Sequence, residues 1–308
     1  EYSPVDKAET DCLRVADIQG KGKGCLAARS VPRGEPVGRE RALLLMPRTC
    51  VSPQHFITAA TNTMPLNQRR AFFGLCNCRS ADTSDALGII STNSFLIPGM
   101  PGHNVLYSAV FETFSRINHS CGPNAMFRWD HATFAGEIRA LRPISAGEEV
   151  TVSYFHDIMG PAAVALERQR FLLECYNFEC ACSVCGRPSK TRSHSDNDRS
   201  FIFKSVTDIG IYYREMADDL MGNEEGDHAR LINYLQRVKK VLDREMIFHP
   251  IYRVYLARAL VIAHCAQGEA KAASKWAQRA AQHTRAVAGS DGGWDAIAKE
   301  PEKCEWWG

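Results

Sequence analysis

The pattern of hydrophobic residues changes along the chain, and this change limits the folds that the chain can adopt. Up to about residue 160, short apolar runs alternate with Gly and Pro, which is typical of a strand-rich region. Beyond residue 200, apolar residues recur at the i, i+3, i+4, i+7 and i+11 positions of a helix: Leu231, Tyr234, Leu235, Val238 and Leu242. The sequence therefore predicts an α+β protein that is β-rich first and helical last.

Helices are also predicted within and directly after the β-rich region. Pro53 suits the first turn of a helix, and the apolar residues that follow it have helical spacing, which predicts a helical insertion at about residues 50–80. The run of strong helix formers from Ala162 to Cys175 predicts another helix. The stretch Arg187–Ser200 has no aliphatic or aromatic residue and is predicted to contain a linker.

The predicted elements divide the chain into four parts. We expect a β-rich domain at residues 1–160, a cysteine-containing region at 161–190, a linker at 191–200 and a helical domain at 201–308. Small residues at helical spacing in the last part resemble tetratricopeptide-like helix stacking, although no firm repeat period is legible. We predict four helices in this domain.

Composition and charge exclude several classes of protein. The 308 residues are 45% hydrophobic, which is enough to bury a sizeable core. The net charge of +2 gives no global attraction to nucleic acid or to an anionic membrane. The longest uncharged run, Ala86–Phe111, contains three Gly and two Pro and is a poor membrane span. We therefore expect neither direct nucleic-acid binding nor a membrane segment.

Three closely spaced cysteines predict a metal site. Cys180, Cys182 and Cys185 form a C-x-C-x2-C pattern, in which a short loop can present three thiolates to one tetrahedral ion. The overall density of 12 cysteines in 308 residues is far below that of secreted disulfide scaffolds, which favours the cytoplasm or nucleus. Spacing alone leaves the fourth ligand open among a nearby His and four other cysteines: Cys76, Cys78, Cys121 and Cys175.

A glycine-rich segment near the N-terminus predicts a tight turn. Residues 22–27 fit the loose dinucleotide pattern G-x-G-x-x-A, but Pro32 and Gly34 exclude the long helix that this pattern requires. Two interpretations of this segment remain. It is either a strand turn whose backbone approaches a ligand or an ordinary hairpin.

Two further motifs carry a family resemblance. Residues 116–125 read RINHSCGPNA and residues 141–154 read LRPISAGEEVTVSY, and the C-x-C-x2-C cluster follows them. In this order they resemble the signature of SET-domain protein methyltransferases, over about residues 10–186. Asn93-Ser94-Phe95 and the helical C-terminal part resemble the SMYD type and short fungal SET proteins. The MYND zinc finger of SMYD proteins has no counterpart between Arg41 and Ile90. Residues 1–160 would then be the SET domain and 161–190 its post-SET zinc region.

The resemblance implies a binding site for S-adenosylmethionine (SAM). Side-chain and backbone groups matching the SAM-contacting positions of the family come from five segments: Lys21, Gly22, Lys23, Asn93, Ser115, Asn118, His119, Tyr154, Tyr176 and Phe178. Several of them also have structural readings, since Asn93 could cap a turn and the aromatic residues could belong to a core.

The resemblance also implies the fourth metal ligand and the catalytic residue. Cys121 would join Cys180, Cys182 and Cys185 around one structural zinc ion, because a closed four-thiolate site has no open position for catalysis. Tyr154 would be the active-site tyrosine. The adjacent acids Glu148 and Glu149 point to opposite faces of a strand, so they are interpreted as turn and surface residues.

The implied activity is SAM-dependent methylation of a lysine amine in a protein substrate, histone or non-histone. Two alternatives remain from the sequence. The chain could be a non-catalytic interaction module built on its zinc site and helices, or a methyltransferase that acts on a small amine.

Overall fold

The computed structural model describes residues 12–79, 83–97, 99, 104–155, 162–219 and 228–308. The chain divides into two compact units. The first unit comprises residues 1–156 and 166–182, and the second comprises residues 157–165 and 183–308. The first unit is β-rich and the second is helical, which confirms the predicted α+β class.

Short strands dominate the first unit. Those in its described residues are β1 (Leu13–Ile18), β2 (Gly22–Ala27), β3 (Pro36–Glu40), β4 (Leu44–Pro47), β5 (Phe95–Ile97), β6 (Tyr107–Val110), β7 (Asn118–His119), β8 (Ala125–Asp130), β9 (Ala135–Ala140) and β10 (Glu149–Val152). They form three small sheets with the orders β1-β2-β10-β7, β3-β9-β8 and β4-β6-β5. A common apolar core, including the fully buried Phe111 and Ile138, lies among them.

The pairing of β7 with β10 brings two of the sequence motifs together. These strands run parallel, with Asn118 opposite Thr151 and His119 opposite Val152. On its other side β10 pairs antiparallel with β2, with Val150 opposite Cys25. Three segments that are distant in sequence therefore lie side by side in one sheet.

The predicted helical insertion is present. Pro53 occupies the first turn of α1 (Pro53–Thr63), α2 (Leu66–Phe73) follows, and α3 (Asp85–Asn93) extends the insertion beyond residue 80. Their apolar sides form a separate small core that contains Ile57 and Phe72. Because α3 ends at Asn93, the insertion leads directly to a predicted site residue. A 3-10 helix, Phe114–Arg116, precedes the NHSC motif.

Five helices occur in the described part of the C-terminal region, one more than predicted. After α4 (Ala165–Tyr176), which agrees with its prediction, they are α5 (Ser189–Asp219), α6 (His228–Arg244), α7 (Pro250–Ala266), α8 (Ala270–Ala288) and α9 (Trp294–Lys299). A second 3-10 helix spans Pro301–Lys303. The periodic residues Leu235, Val238 and Leu242 are buried in the core of this unit, as their spacing predicts. None of the described helices is long and apolar enough to span a bilayer.

The linker prediction for residues 191–200 is wrong. These residues are helical within α5, and Ser195 and Arg199 are buried although the segment has no apolar side chain. Arg199 is fully buried because it pairs with the buried carboxylate of Glu245, which also binds Arg187 at 2.8 Å. An ion-pair network therefore anchors this segment where the sequence shows no hydrophobic anchor.

Candidate functional site

A cavity of about 500 Å³ lies in the first unit. Its wall includes all ten residues predicted to contact SAM: Lys21, Gly22, Lys23, Asn93, Ser115, Asn118, His119, Tyr154, Tyr176 and Phe178. The described cavity wall also contains residues 74–76, 78 and 179–182. Residues that are far apart in the chain thus surround one space, and this space is large enough for a drug-sized ligand.

The β1–β2 hairpin forms one edge of the cavity. Gly20 and Gly22 adopt positive φ angles of 74° and 70° in the turn, a conformation that glycine adopts without strain. The next glycine has a different role. A Cβ atom at Gly24 would lie 2.6 Å from Asn118 Nδ2, so only glycine lets β2 approach the NHSC segment this closely. The tight turn that both interpretations of this segment require is present between β1 and β2.

Asn118 is held by two hydrogen bonds. Its amide nitrogen Nδ2 donates to the carbonyl oxygen of Lys23 at 3.2 Å and to Glu149 Oε1 at 3.0 Å. Glu149 Oε2 in turn accepts from Lys21 Nζ at 2.6 Å. The hairpin, β7 and β10 are therefore tied together by side chains at the edge of the cavity.

Another part of the cavity wall is held together by hydrogen bonds of Asn93 and Ser115. Asn93 Nδ2 donates to the carbonyl oxygens of Cys76 and Ile89 at 2.6 and 2.7 Å. Ser115 Oγ donates to the carbonyl oxygen of Asn93 at 3.0 Å and accepts from the backbone N–H of Phe111 at 2.9 Å. These contacts fix the end of α3 against the 3-10 helix.

His119 connects Tyr154 to the cysteine cluster. The backbone N–H of Tyr154 donates to His119 Nδ1 at 3.0 Å, so Nε2 carries the ring proton and donates to Cys121 Sγ at 3.3 Å. Burial lowers the pKa of His119 to about 3, so the ring is neutral at physiological pH. The tautomer of the imidazole is therefore set by its two partners.

Tyr154 presents a protonated phenol at the cavity wall. Its hydroxyl group donates to the carbonyl oxygen of Ile117 at 2.9 Å. Burial raises the pKa of Tyr154 above its ordinary value, and burial likewise raises the pKa of Tyr176 to about 12. The ring centroids of these two tyrosines are 4.7 Å apart, and Phe178 lies 6.4 Å from Tyr154. The aromatic residues predicted around the cofactor therefore form one cluster.

Four cysteines form a candidate metal centre. The sulfur atoms of Cys121, Cys180, Cys182 and Cys185 all lie within 4.8 Å of one another, and those of Cys121 and Cys180 are 4.0 Å apart. Four thiolates around a zinc ion with bonds of about 2.3 Å would be separated by about 3.8 Å in a tetrahedron. The sulfur atoms therefore fit a closed zinc site, and Cys121 is the fourth member that spacing alone left open.

Two features of the site were not found from the sequence. Cys76 and Cys78, considered above only as candidates for the fourth metal ligand, lie on the cavity wall. Glu149, interpreted as a turn or surface residue, bonds to two predicted SAM-contacting residues. The GEE motif could have marked Glu149 as a candidate site residue. Its contacts with Lys21 and Asn118, however, are seen only once β10 is paired with its neighbouring strands.

Comparison with known proteins agrees with this geometry. Residues 22–155 match the family model for the SET domain. The match includes the hairpin, the NHSC segment and the strand that ends at Tyr154, so this part of the chain is a SET domain.

Individual relatives with similar sequences include Set5 and SMYD proteins. The chain is 31% identical over 219 residues to histone-lysine N-methyltransferase set5 of Schizosaccharomyces pombe, an alignment covering 71% of this chain and 62% of the relative. It is 32% identical over 118 residues to human histone-lysine N-methyltransferase SMYD1, an alignment that covers 35% of this chain and 23% of the relative. It is 39% identical over 80 residues to N-lysine methyltransferase SMYD2-B of Danio rerio, an alignment that covers 25% of this chain and 16% of the relative. The aligned residues therefore span less than two thirds of the length of each of these relatives. The SET domain of this chain is similar to those of SMYD proteins.

Proposed function

We propose that this protein transfers a methyl group from SAM to the side-chain amine of a lysine in a protein substrate. One observation carries the proposal: a single cavity gathers the hairpin, Asn118 and His119 of the NHSC motif, and Tyr154. The relatives described above are named as lysine methyltransferases, which supports the proposal.

The residues of the cavity match the chemistry of the proposed ligand. SAM would supply an electrophilic methyl group on a sulfonium ion, together with an adenine ring and an amino-acid end. Phe178 and Tyr176 offer aromatic faces for a ring. Lys21, Lys23 and Asn118 offer charged and amide groups for a zwitterion. Each end of the ligand therefore has wall residues of suitable type in the structure.

The proposed transfer needs a neutral lysine amine. Free lysine has a pKa of about 10.4, so the substrate must lose a proton before its nitrogen can attack. Desolvation beside an aromatic wall and a positive sulfonium favours the neutral amine. The N–CH3 bond then forms as the S–CH3 bond breaks, and the proton lost from the amine passes to solvent. The Tyr154 hydroxyl is a protonated donor and orients polar groups rather than accepting that proton.

The proposed zinc would have a structural role. Four thiolate ligands leave no open coordination position for a substrate. Because His119 donates to Cys121 and accepts from the backbone of Tyr154, the metal centre would stabilise one wall of the cavity. The thiolates also require a reducing environment, which supports a cytoplasmic or nuclear location.

Calorimetric titration of the zinc-replete protein with SAM tests the proposal. We expect saturable binding at one site. A screen with labelled SAM over histones, a cell extract and small amines then identifies the acceptor class. Incorporation into protein lysine supports the proposal, whereas incorporation only into a small amine contradicts the proposed substrate. Absence of SAM binding would overturn the proposed activity and leave the interaction-module alternative.

A further inference from the structure

Glu149 forms a bridge between two residues of the candidate SAM site. Its Oε2 atom accepts from Lys21 Nζ at 2.6 Å, and its Oε1 atom accepts from Asn118 Nδ2 at 3.0 Å. The side chain of Glu149 is 19% exposed and that of Lys21 is 37% exposed. Lys21 and Asn118 line the cavity, and Glu149 is not among the described residues of its wall. Glu149 can therefore act on a ligand only through these two residues.

The hydrogen bonds of Asn118 fix the orientation of its amide group. Both hydrogens on Nδ2 are used, one by Glu149 Oε1 and the other by the carbonyl oxygen of Lys23. Rotating the amide by 180° would place Oδ1 against these two oxygen acceptors, which is unfavourable. Oδ1 is therefore the polar atom of the amide that is available to a donor in the cavity.

The local backbone is shaped to hold this arrangement. A Cβ atom at Gly24 would lie 2.6 Å from Asn118 Nδ2 and 3.3 Å from Glu149 Oε1. Antiparallel pairing of β10 with β2 sets Glu149 opposite Leu26, and parallel pairing sets Thr151 opposite Asn118. The contact between the amide and the carboxylate is thus a consequence of three paired strands and a glycine, rather than of two freely moving surface side chains.

The two ends of this bridge differ in the ligand groups that they can receive. Asn118 Oδ1 is an acceptor and suits an ammonium group, whereas Lys21 is a cation and suits a carboxylate. An α-amino acid carries both groups on one carbon atom. The carboxylate of Glu149 holds the amide and the ammonium side chain next to each other and partly neutralises Lys21, which reduces its repulsion of a positively charged ligand.

We propose that Glu149 is a positioning residue that determines recognition of the amino-acid end of SAM. It orients Asn118 Oδ1 for the ligand's ammonium group and keeps Lys21 beside it for the carboxylate. This inference rests on the proposed SAM-dependent function.

The test compares ligands that contain and lack the amino-acid end. SAM carries it, and 5′-methylthioadenosine has the same adenosine and sulfur but no amino acid. We would measure the affinity of both ligands by calorimetry, using competition for the weaker ligand, for the wild type, Glu149→Gln and Glu149→Ala. Glu148→Gln is the matched control, because Glu148 bonds to Arg142 and Asn124 instead.

For SAM we expect an affinity loss of about tenfold in Glu149→Gln, since a charge-assisted interaction is lost, and a larger loss in Glu149→Ala. For 5′-methylthioadenosine we expect affinities within about twofold of wild type in both variants, and for Glu148→Gln no change with either ligand. Zinc content and thermal unfolding report whether each variant is folded.

Three outcomes would overturn the inference. Equal losses for the two ligands in folded variants would show a general structural role for Glu149. Unchanged SAM affinity in both variants would show that Glu149 has no role in recognition, while leaving the proposed function intact. Absence of SAM binding by the wild type would instead overturn the proposed function, and this inference with it.

Discussion

At the residue scale, the protonation state of Tyr154 limits its chemistry. Its pKa is raised by burial, so the phenol keeps its proton across the neutral range, and the hydroxyl donates to the Ile117 carbonyl oxygen. A protonated phenol beside a carbonyl is a fixed dipole that can align reacting groups in the cavity. It is a poor general base at this pH.

Tyr154→Phe should therefore separate catalysis from cofactor binding. We expect kcat to fall by about 100-fold or more, because the variant loses an oriented hydroxyl group at the reacting centre. The dissociation constant for SAM should change by no more than about threefold, since the ring is retained. Steady-state kinetics and calorimetry measure the two quantities. Tyr107→Phe, in β6 and outside the described cavity wall, is the matched control; unchanged turnover in Tyr154→Phe would remove Tyr154 from the mechanism.

From the burial of His249 we expect the stability of the helical unit to decrease at acidic pH. Burial lowers the pKa of His249 to about 4, whereas an unfolded histidine titrates near 6.5. The folded state therefore resists protonation, so its stability is fully present above pH 6.5 and falls as the pH decreases towards 4. The loss from this group would reach about 3 kcal/mol.

The variant His249→Asn removes this titration and keeps a residue suited to the N-cap of α7. We expect its free energy of unfolding, measured in urea, to depend less on pH between 7 and 4.5 than that of the wild type. His194→Asn, at an exposed position, should leave the pH dependence unchanged. Parallel pH profiles for the wild type and His249→Asn would contradict the assignment.

At the element scale, the start of α5 depends on buried charge. The carboxylate of Glu245 forms ion pairs with Arg187 at 2.8 Å and with Arg199 at 3.4 Å. Both Glu245 and Arg199 are almost completely buried. A buried ion pair contributes little more to folding stability than a well-packed hydrophobic pair would. Removal of one partner, however, leaves the other charge buried without compensation.

Glu245→Gln should consequently destabilise the protein by about 3 kcal/mol, as measured by urea unfolding. Glu302→Gln removes the same charge at an exposed site and should change stability by less than about 0.5 kcal/mol. Equal effects of the two substitutions would show that the network does not anchor α5.

Elements with periodic apolar residues could be predicted from the sequence, and elements held by polar contacts could not. The helices α4, α6 and α8 follow the spacing of their buried residues, such as Leu235 and Trp276. The first turns of α5 lack this signal, because their burial depends on Glu245, about fifty residues away. A local pattern cannot reveal such a partner.

At the scale of the whole molecule, one zinc ion per chain is expected to hold the NHSC segment against the cysteine loop. Elemental analysis should find one zinc per chain, and removal by a strong chelator should release it and expose four additional reactive thiols. SAM affinity should fall by about tenfold or more, because a structural metal orders the adjacent wall.

Substitution of single cysteines tests the same assignment. Cys182→Ser should lose the zinc, whereas Cys175→Ser, outside the four-cysteine cluster, should retain it. Purified protein that contains no zinc, or equal zinc content in the two variants, would contradict the four-cysteine site.

The amino-acid sequence alone was enough to identify the chemical groups of the candidate site. The order of the hairpin glycines, NHSC, GEE–SY and C-x-C-x2-C motifs was enough to predict a SET domain. The family resemblance that these motifs carry then implied ten residues, and all ten line one cavity. Helical periodicity was enough to predict that the C-terminal part is helical, although not the start of α5 or the number of helices. These signals are local, because a motif or a period of a few residues contains them completely.

How these groups contact one another depends on the tertiary structure. Lys21 and Glu149 are 128 residues apart, and their contact depends on β10 lying between β2 and β7. The same pairing aligns Asn118 with Thr151 and leaves room for the Asn118 amide beside Gly24. Strand partners and registers result from packing across the whole sheet, so the contacts of Glu149 with Lys21 and Asn118 could not be predicted from a local sequence pattern.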